Sequence, residues 1–119
     1  MWLNYKKVEK ITDLSYVSEI AAGDEAFIKE LIETFLLQVP EFSGNMKNYL
    51  QNKQYDLLAR EAHTAKSSVM LFGLNQLAAM LKEFQLLAGK QEKVETYPGL
   101  ISEFDEICGM AAAELKPLI

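Results

Sequence analysis

Apolar residues recur every three or four positions along most of the chain, which is the spacing of an amphipathic α-helix. No stretch shows the two-residue alternation that is typical of a β-strand. Caps and breakers divide this pattern into one short and four long helices. The predicted helices are a short one after Thr12 or Asp13 that stops near Gly23, a long one capped by Asp24, one over about 54–72, one from Leu74 to "AGK" at 88–90, and one that Pro117 closes.

Each helix has one apolar stripe, and short connections join the helices. This combination favours antiparallel neighbours, so we expect an all-α, up-down-up-down four-helix bundle with a short additional N-terminal helix over one end. The whole chain, 1–119, is predicted to be a single domain. The expected inward-facing residues are Phe27, Leu31, Phe35, Phe42, Met46 and Tyr49; Leu58, Ala62, Ala65, Val69 and Phe72; Leu74, Leu77, Leu81, Phe84 and Ala88; and Ile101, Phe104, Cys108, Ala111 and Leu115.

Proline and glycine mark three special positions in this pattern. Pro40 lies inside the second helix, where we expect a kink or a short break because proline lacks a backbone donor. Gly73 is expected to form a tight turn or cap. The polar stretch 90–99 carries Pro98 and Gly99 and is predicted to be a loop.

Composition narrows the functional classes. A net charge of −5 on 119 residues argues against nucleic acid or an anionic membrane as the main partner. The first ten residues have no apolar core of a signal peptide, and no apolar run approaches the roughly 20 residues of a spanning helix. The single cysteine, Cys108, cannot form an internal disulfide. These features fit a protein of the reducing cytoplasm.

His63 is the chain's single histidine, and the helical pattern turns it outward. At about 100° per residue, it lies roughly 140° from the centre of the apolar stripe of the third helix. Asp56, Ala59, Arg60, Ser67 and Met70 share its side. This position argues against a role in the core.

The neighbours of His63 suit a reaction with an anion. Arg60 and Lys66 flank it at helical contact spacing. Two cations disfavour a further positive charge on the imidazole and stabilise a phosphoryl group of charge near −2. Ala59 and Ser67, one turn away on either side, leave room for a large partner. An exposed, neutral imidazole in this setting suits receiving and passing on phosphate.

The stretch "EAHTAKSSVMLFGL" resembles the signature of histidine-containing phosphotransfer (Hpt) domains. That signature has a histidine, lysine three residues later, small residues four and five later, and glycine ten later. The matching residues here are His63, Lys66, Ser67, Ser68 and Gly73. Many members have glycine where this chain has Ser67, which is still small enough for close approach.

The resemblance extends to "DLSYVSEIAAGDEAFIKELIETFLLQVPEF", which is similar to the family's first helix and kinked second helix. It covers about residues 11–90, and the last helix agrees only in being amphipathic.

The resemblance implies a role for each matching residue. His63 would be phosphorylated on its outer ring nitrogen by an aspartyl phosphate of a receiver domain, and Lys66 would balance the charge of the phosphoryl group. The family often has Gln or Glu 22 residues after the histidine, bonded to the inner ring nitrogen, and Gln85 stands there. Glu83 is a less suitable substitute. Two alternatives stay open. Arg60 is also typical of a solvated helix face, and Gln85 is also typical of an ordinary surface glutamine.

The implied partners are receiver domains of hybrid kinases and response regulators, which would supply Mg²⁺, so no cofactor of its own is expected. Leu14, Ile20 and Phe27 are candidates for the apolar contact surface. Trp2, Tyr5 and Tyr16 fit either packing on the bundle or a partner surface. We expect a monomer, and the initial Met and final "LKPLI" favour a free-standing carrier over a piece of a hybrid kinase.

Three functional classes compete. A phosphorelay carrier needs the outward His63 and Lys66, whereas a docking module that keeps the fold without transferring phosphate needs neither. A di-iron bundle needs Glu-x-x-His on two helices, but the residue three before the lone histidine is Arg60, which excludes that class. No glycine-rich nucleotide loop is present, so the chain is predicted to be a carrier without kinase activity.

Overall fold

The computed structural model describes residues 10–119, which form five α-helices and two short 3₁₀ turns. Trp2 and Tyr5 lie outside these residues. No strand occurs in the described part, which confirms the all-α prediction. The helices are α1 (Ser15–Ile20), α2 (Glu25–Gln51), α3 (Tyr55–Leu71), α4 (Asn75–Lys90) and α5 (Tyr97–Leu115), and the 3₁₀ turns are Val94–Thr96 and Lys116–Leu118.

The four long helices close a ring around one core. Helix α3 packs against α2 and α4, and α5 packs against the other sides of α2 and α4. All the predicted inward residues of α3, α4 and α5 are buried, so their apolar stripes are confirmed. Helix α1 lies against α2. The structure is therefore a four-helix bundle with a short helix added at its N-terminal side.

Helix α2 follows its prediction only in part. Asp24 caps it as expected, with its carboxylate accepting bonds from the amides of Ala26 and Phe27. Phe35, Phe42 and Met46 are buried as predicted, together with Ile32, which was not predicted. Phe27 is 39% exposed, so its assignment to the inward face is wrong. Leu31 and Tyr49 are half-buried at the edge of the core. The apolar stripe of α2 thus reaches the surface near its first turn.

Pro40 does not break α2, which is continuous from Glu25 to Gln51. Proline removes one backbone donor and leaves the carbonyl four residues earlier without its helical partner. Pro40 is exposed, and water can satisfy backbone groups on the solvent side of a helix. The short break is therefore absent.

The prediction of Thr12 or Asp13 as the N-cap of α1 is wrong. Leu14 occupies the cap position and makes no side-chain cap bond. The Asp13 carboxylate accepts from the Ser15 amide at 2.9 Å and from its hydroxyl at 2.6 Å. The Thr12 hydroxyl donates to Glu114 in α5 at 2.7 Å. The polar side chains before α1 thus fix its approach to the bundle.

The loop predicted over 90–99 is shorter than expected, because α5 begins at Tyr97 and contains Pro98 and Gly99 in its first turn. Proline suits this position, where its missing donor costs nothing and its fixed φ is already helical. Tyr97 is completely buried, and its hydroxyl donates to the Glu92 carbonyl at 2.6 Å. Its ring packs against those of Tyr55 and Phe84. Tyr97 is therefore a core residue that the loop prediction missed.

Candidate functional site

His63 lies on the exposed side of α3, in the third turn of a helix whose opposite side is completely buried. Ala62 and Ala65, its near neighbours in sequence, are both 0% exposed. The rotation of 100° per residue that separates them from His63 thus sets the ring outward. The imidazole is thus presented to solvent from near the middle of one long helix of the bundle.

The inner ring nitrogen of His63 meets the side chain of Gln85 in α4, with 3.2 Å between Nδ1 and Oε1. An amide oxygen can only accept, so this bond requires the hydrogen on Nδ1. In the neutral form of the ring, the outer nitrogen, Nε2, then carries the free lone pair. The contact that the resemblance implied between His63 and Gln85 is present, and the half-buried Gln85 holds the ring in one tautomer.

A tight turn brings the two helices of this pair together. Gly73 adopts φ +73°, a left-handed conformation that glycine takes without a steric penalty. A Cβ added there would lie 2.6 Å from Cβ of Asp13. The Asp13 amide also donates to the Phe72 carbonyl at 2.9 Å. Gly73 is thus the predicted turn and, in addition, the place where the segment before α1 crosses the α3–α4 connection.

Hydrogen bonds hold the other flank of α3 against α2. Ser68 Oγ donates to Gln38 Oε1 at 3.1 Å, and Asn45 Nδ2 donates to Glu61 Oε2 at 2.9 Å. Residues further along α3 bond to residues further back along α2, so these helices are antiparallel. Ser68 therefore supports the position of α3 and lies away from the imidazole.

The remaining predicted site residues differ in how closely they approach the ring. Arg60 and Ser67 are exposed and Lys66 is half-buried, all within one turn of His63. The Ser67 hydroxyl lies 3.5 Å from the His63 backbone carbonyl oxygen. Within residues 10–119 the one ion pair joins Lys47 to Asp105, at 2.9 Å. The charges of Arg60 and Lys66 are thus not neutralised by a carboxylate of the described chain.

Four exposed apolar side chains lie on α1, in the first turn of α2 and near the end of α3. Tyr16, Ile20, Phe27 and Met70 are 53%, 46%, 39% and 49% exposed. We call these four residues the apolar patch. A cleft of about 470 Å³ joins Tyr16 and Met70 to Ser67, one turn from His63. Of the predicted contact residues, Ile20 and Phe27 belong to the patch, whereas Leu14 is half-buried and packs on the core.

Two features of the patch were not in the predicted surface. The sequence was compatible with Tyr16 either packing on the bundle or contacting a partner. In the structure Tyr16 is exposed and lines the cleft. Met70 shares the helical side of His63, and that rotation was the signal that could have added it.

Acidic and sulfur ligands do not converge in the described part of the chain. Residues 10–119 contain no group of three or more His, Cys, Asp or Glu side chains able to hold a metal ion. Cys108 is fully buried, and burial raises the pKa of its thiol to about 12. It is an inert core residue, as predicted.

None of the helices within residues 10–119 combines the length and apolar character that a membrane crossing requires.

Comparison with known protein families shows which family this bundle belongs to. The model of the Hpt domain matches residues 30–114, from α2 almost to the end of α5. The chain belongs to the Hpt domain family. The match includes most of α5, so the expectation that the resemblance stops near residue 90 is wrong, and it does not include α1.

One relative of this Hpt domain is the "Phosphorelay intermediate protein YPD1" of Candida albicans (strain SC5314 / ATCC MYA-2876). The two are 31% identical over an alignment of 87 residues, and the match covers 66% of this chain and 47% of the relative. The chain therefore spans about half the length of the curated relative that it matches. No solved structure matches it significantly. Membership of the family and this relative support a role in phosphorelay in general.

Proposed function

We propose that this protein accepts a phosphoryl group on Nε2 of His63 from an aspartyl phosphate of one receiver domain and passes it to another. The observation that supports this most directly is the bond from Nδ1 to Gln85 Oε1 at 3.2 Å, on an exposed ring. It leaves Nε2 as the nucleophile and keeps it accessible.

The proposed transfer is a nucleophilic displacement at phosphorus. The Nε2 lone pair forms the new N–P bond while the bond from phosphorus to the aspartate oxygen breaks, and the aspartate leaves as a carboxylate with that electron pair. The ring keeps its hydrogen on Nδ1 and gains positive charge. The Gln85 carbonyl dipole, which accepts from Nδ1–H, stabilises that charge. The reverse displacement delivers the group to the second receiver.

The protein contributes position and charge to this reaction. Lys66 and Arg60 lie on either side of His63 and favour a dianionic phosphoryl group on the ring. We propose that the receiver supplies Mg²⁺, which neutralises the charge on the transferring oxygens. The carrier then needs no cofactor and no kinase activity of its own.

The apolar patch is the proposed contact surface for the receiver domain. Its members Tyr16 and Met70 share a cleft with Ser67, one turn from His63, and contiguous exposed apolar groups mark protein interaction surfaces. The small Ser67 side chain beside the cleft lets the partner approach the ring. One copy of the chain carries all of these residues, so we propose a monomeric carrier.

The direct test is phosphoryl transfer from a receiver domain phosphorylated with labelled phosphate to the intact protein and to His63→Gln. We expect acid-labile, base-stable label on the intact protein, because phosphohistidine has that stability, and none on the variant. The variant keeps the α3 backbone and a polar side chain, and circular dichroism checks its fold.

Two other outcomes would count against the proposal. Label of equal amount on His63→Gln would place the phosphoryl group elsewhere. Absence of label with a broad panel of receivers, while receivers still bind, would show that the protein is a docking module.

A further inference from the structure

Helix α4 brings a second lysine to the level of the proposed phosphorylation site. Helices α3 and α4 are joined by only the residues 72–74, a connection that makes neighbouring helices antiparallel. The His63–Gln85 bond fixes which turns face each other. Lys66 follows His63 by three residues, and Lys82 precedes Gln85 by three, so both lie about 4.5 Å from that bond in the same direction.

The two lysines also lie on facing flanks of their helices. Ser68 and Glu61 mark the flank of α3 that faces α2. Lys66 lies about 140° from Glu61 and about 160° from Ser68 by rotation, on the flank towards α4. Lys82 is one turn from both Gln85 and the buried Ala78 and is exposed. Its long flexible stem lets the ammonium group reach the space in front of the ring.

Neither lysine is neutralised by its surroundings. In the part of the chain from Lys10 onwards, neither Lys66 nor Lys82 forms an ion pair. Glu83, the nearest acid in sequence, is about 100° further round α4. It lines a cleft together with Lys82 and Lys90, but it forms no ion pair with Lys82. Two like charges at the same level of adjacent helices repel each other, and an anion between them would remove that repulsion.

We propose that Lys82 acts with Lys66 as the second half of a cationic clamp that holds the phosphoryl group on His63. Lys82 thereby favours the phosphorylated carrier over the phosphorylated receiver at equilibrium. This inference rests on the proposed function and adds to it a residue that determines how far the transfer proceeds.

The equilibrium ratio between phospho-His63 and the phosphorylated receiver tests the clamp. Receiver contacts act on the forward and reverse transfers alike, so a shift in this ratio reports on the phosphorylated carrier itself. Lys82→Gln should lower the ratio by roughly two- to fivefold at low salt, the effect expected for one exposed charge pair, and less at high salt. Lys82→Arg should restore it, since the charge is kept.

Lys29→Gln is the matched control. Lys29 is exposed in α2, nine residues before Gln38 and therefore half a turn round from the side that faces α3. The Lys29→Gln substitution removes the same charge, but at a position away from the site. A ratio for Lys82→Gln equal to that of Lys29→Gln, with the intact protein labelled, would overturn the clamp and leave the proposed function standing. An unlabelled intact protein would overturn both.

Discussion

Among individual side chains, Gln85 makes the hydrogen bond to the imidazole of the proposed phosphorylation site. Its amide oxygen accepts from Nδ1 of His63 at 3.2 Å, and this single bond selects the tautomer in which Nε2 can attack phosphorus. In the proposed transfer, Gln85 bonds to the ring nitrogen that does not receive the phosphoryl group. It is a positioning residue that acts through His63.

Gln85→Leu removes the acceptor and keeps a side chain of similar size. We expect single-turnover transfer from a phosphorylated receiver to slow by about two- to tenfold, the effect of one hydrogen bond on the reactive tautomer. Gln76→Leu, at an exposed position of the same helix, is the control. Equal rates for the two variants would show that the bond does not contribute to transfer.

Sequence patterns alone placed some residues of the site, whereas others needed the family resemblance or the structure. Rotation along one helix was enough to place His63 outward and to group it with Met70. Gln85 came from the family resemblance, because no periodicity within α4 marks it as a partner of α3. Lys82 could not be predicted from spacing, since its nearness to Lys66 depends on how the two helices align, and the bond at His63 sets that alignment.

The helices themselves show which sequence signals are reliable. Long apolar stripes placed the cores of α3, α4 and α5 correctly, since burial of a full stripe outweighs local preferences. The start of α5 was misplaced, because Pro98 and Gly99 are typical both of loops and, in the case of proline, of a first helical turn. The exposed Phe27 was assigned inward, because periodicity does not show where the bundle ends.

The α3–α4 connection depends on one glycine. Gly73→Ala would introduce a Cβ 2.6 Å from that of Asp13 at a positive φ. We expect the free energy of unfolding to fall by about 2 kcal/mol or more, because the strained backbone and the contact add together. Urea unfolding followed by circular dichroism measures this.

Gly109→Ala is the control for that substitution. Gly109 lies within α5, and an added Cβ there meets nothing within 4 Å. Alanine should stabilise the helix by up to about 1 kcal/mol. A Gly73→Ala protein as stable as the Gly109→Ala protein would contradict the crowding described for the turn.

The two ends of the described chain meet at Glu114. Its carboxylate accepts from the amides of Ile11 and Thr12 and from the Thr12 hydroxyl, at 2.7–3.1 Å. Partial burial raises the pKa of Glu114, but these bonds and the charge of Lys10 outweigh it, so the pKa lies below its usual 4.5. This carboxylate attaches the segment before α1 to the last helix, a pairing across 103 residues that no local pattern could have indicated.

The lowered pKa of Glu114 predicts how stability depends on pH. A carboxylate whose pKa is lower in the folded state stabilises the fold fully above its unfolded value, and the contribution is lost as pH falls through the folded value. The intact protein should therefore exceed Glu114→Gln in the free energy of unfolding above about pH 5. The difference should narrow as the pH falls below the usual 4.5.

Urea titrations of both proteins between about pH 2 and 7 measure this difference. Because the other carboxylates titrate in both proteins, the comparison isolates Glu114. A difference that stays constant over the whole range would mean that the ionised carboxylate does not hold the segment.

The hairpin of α3 and α4 has a consequence for how such a protein can change over evolution. The proposed nucleophile His63, its hydrogen-bond partner Gln85 and both lysines of the proposed clamp lie within one continuous stretch, 63–85, whose two helices are joined by a three-residue connection. Their mutual geometry is inherited as a unit. Helices outside this stretch can be lengthened, shortened or exchanged to suit new partners, provided that the hairpin still has a core to rest on.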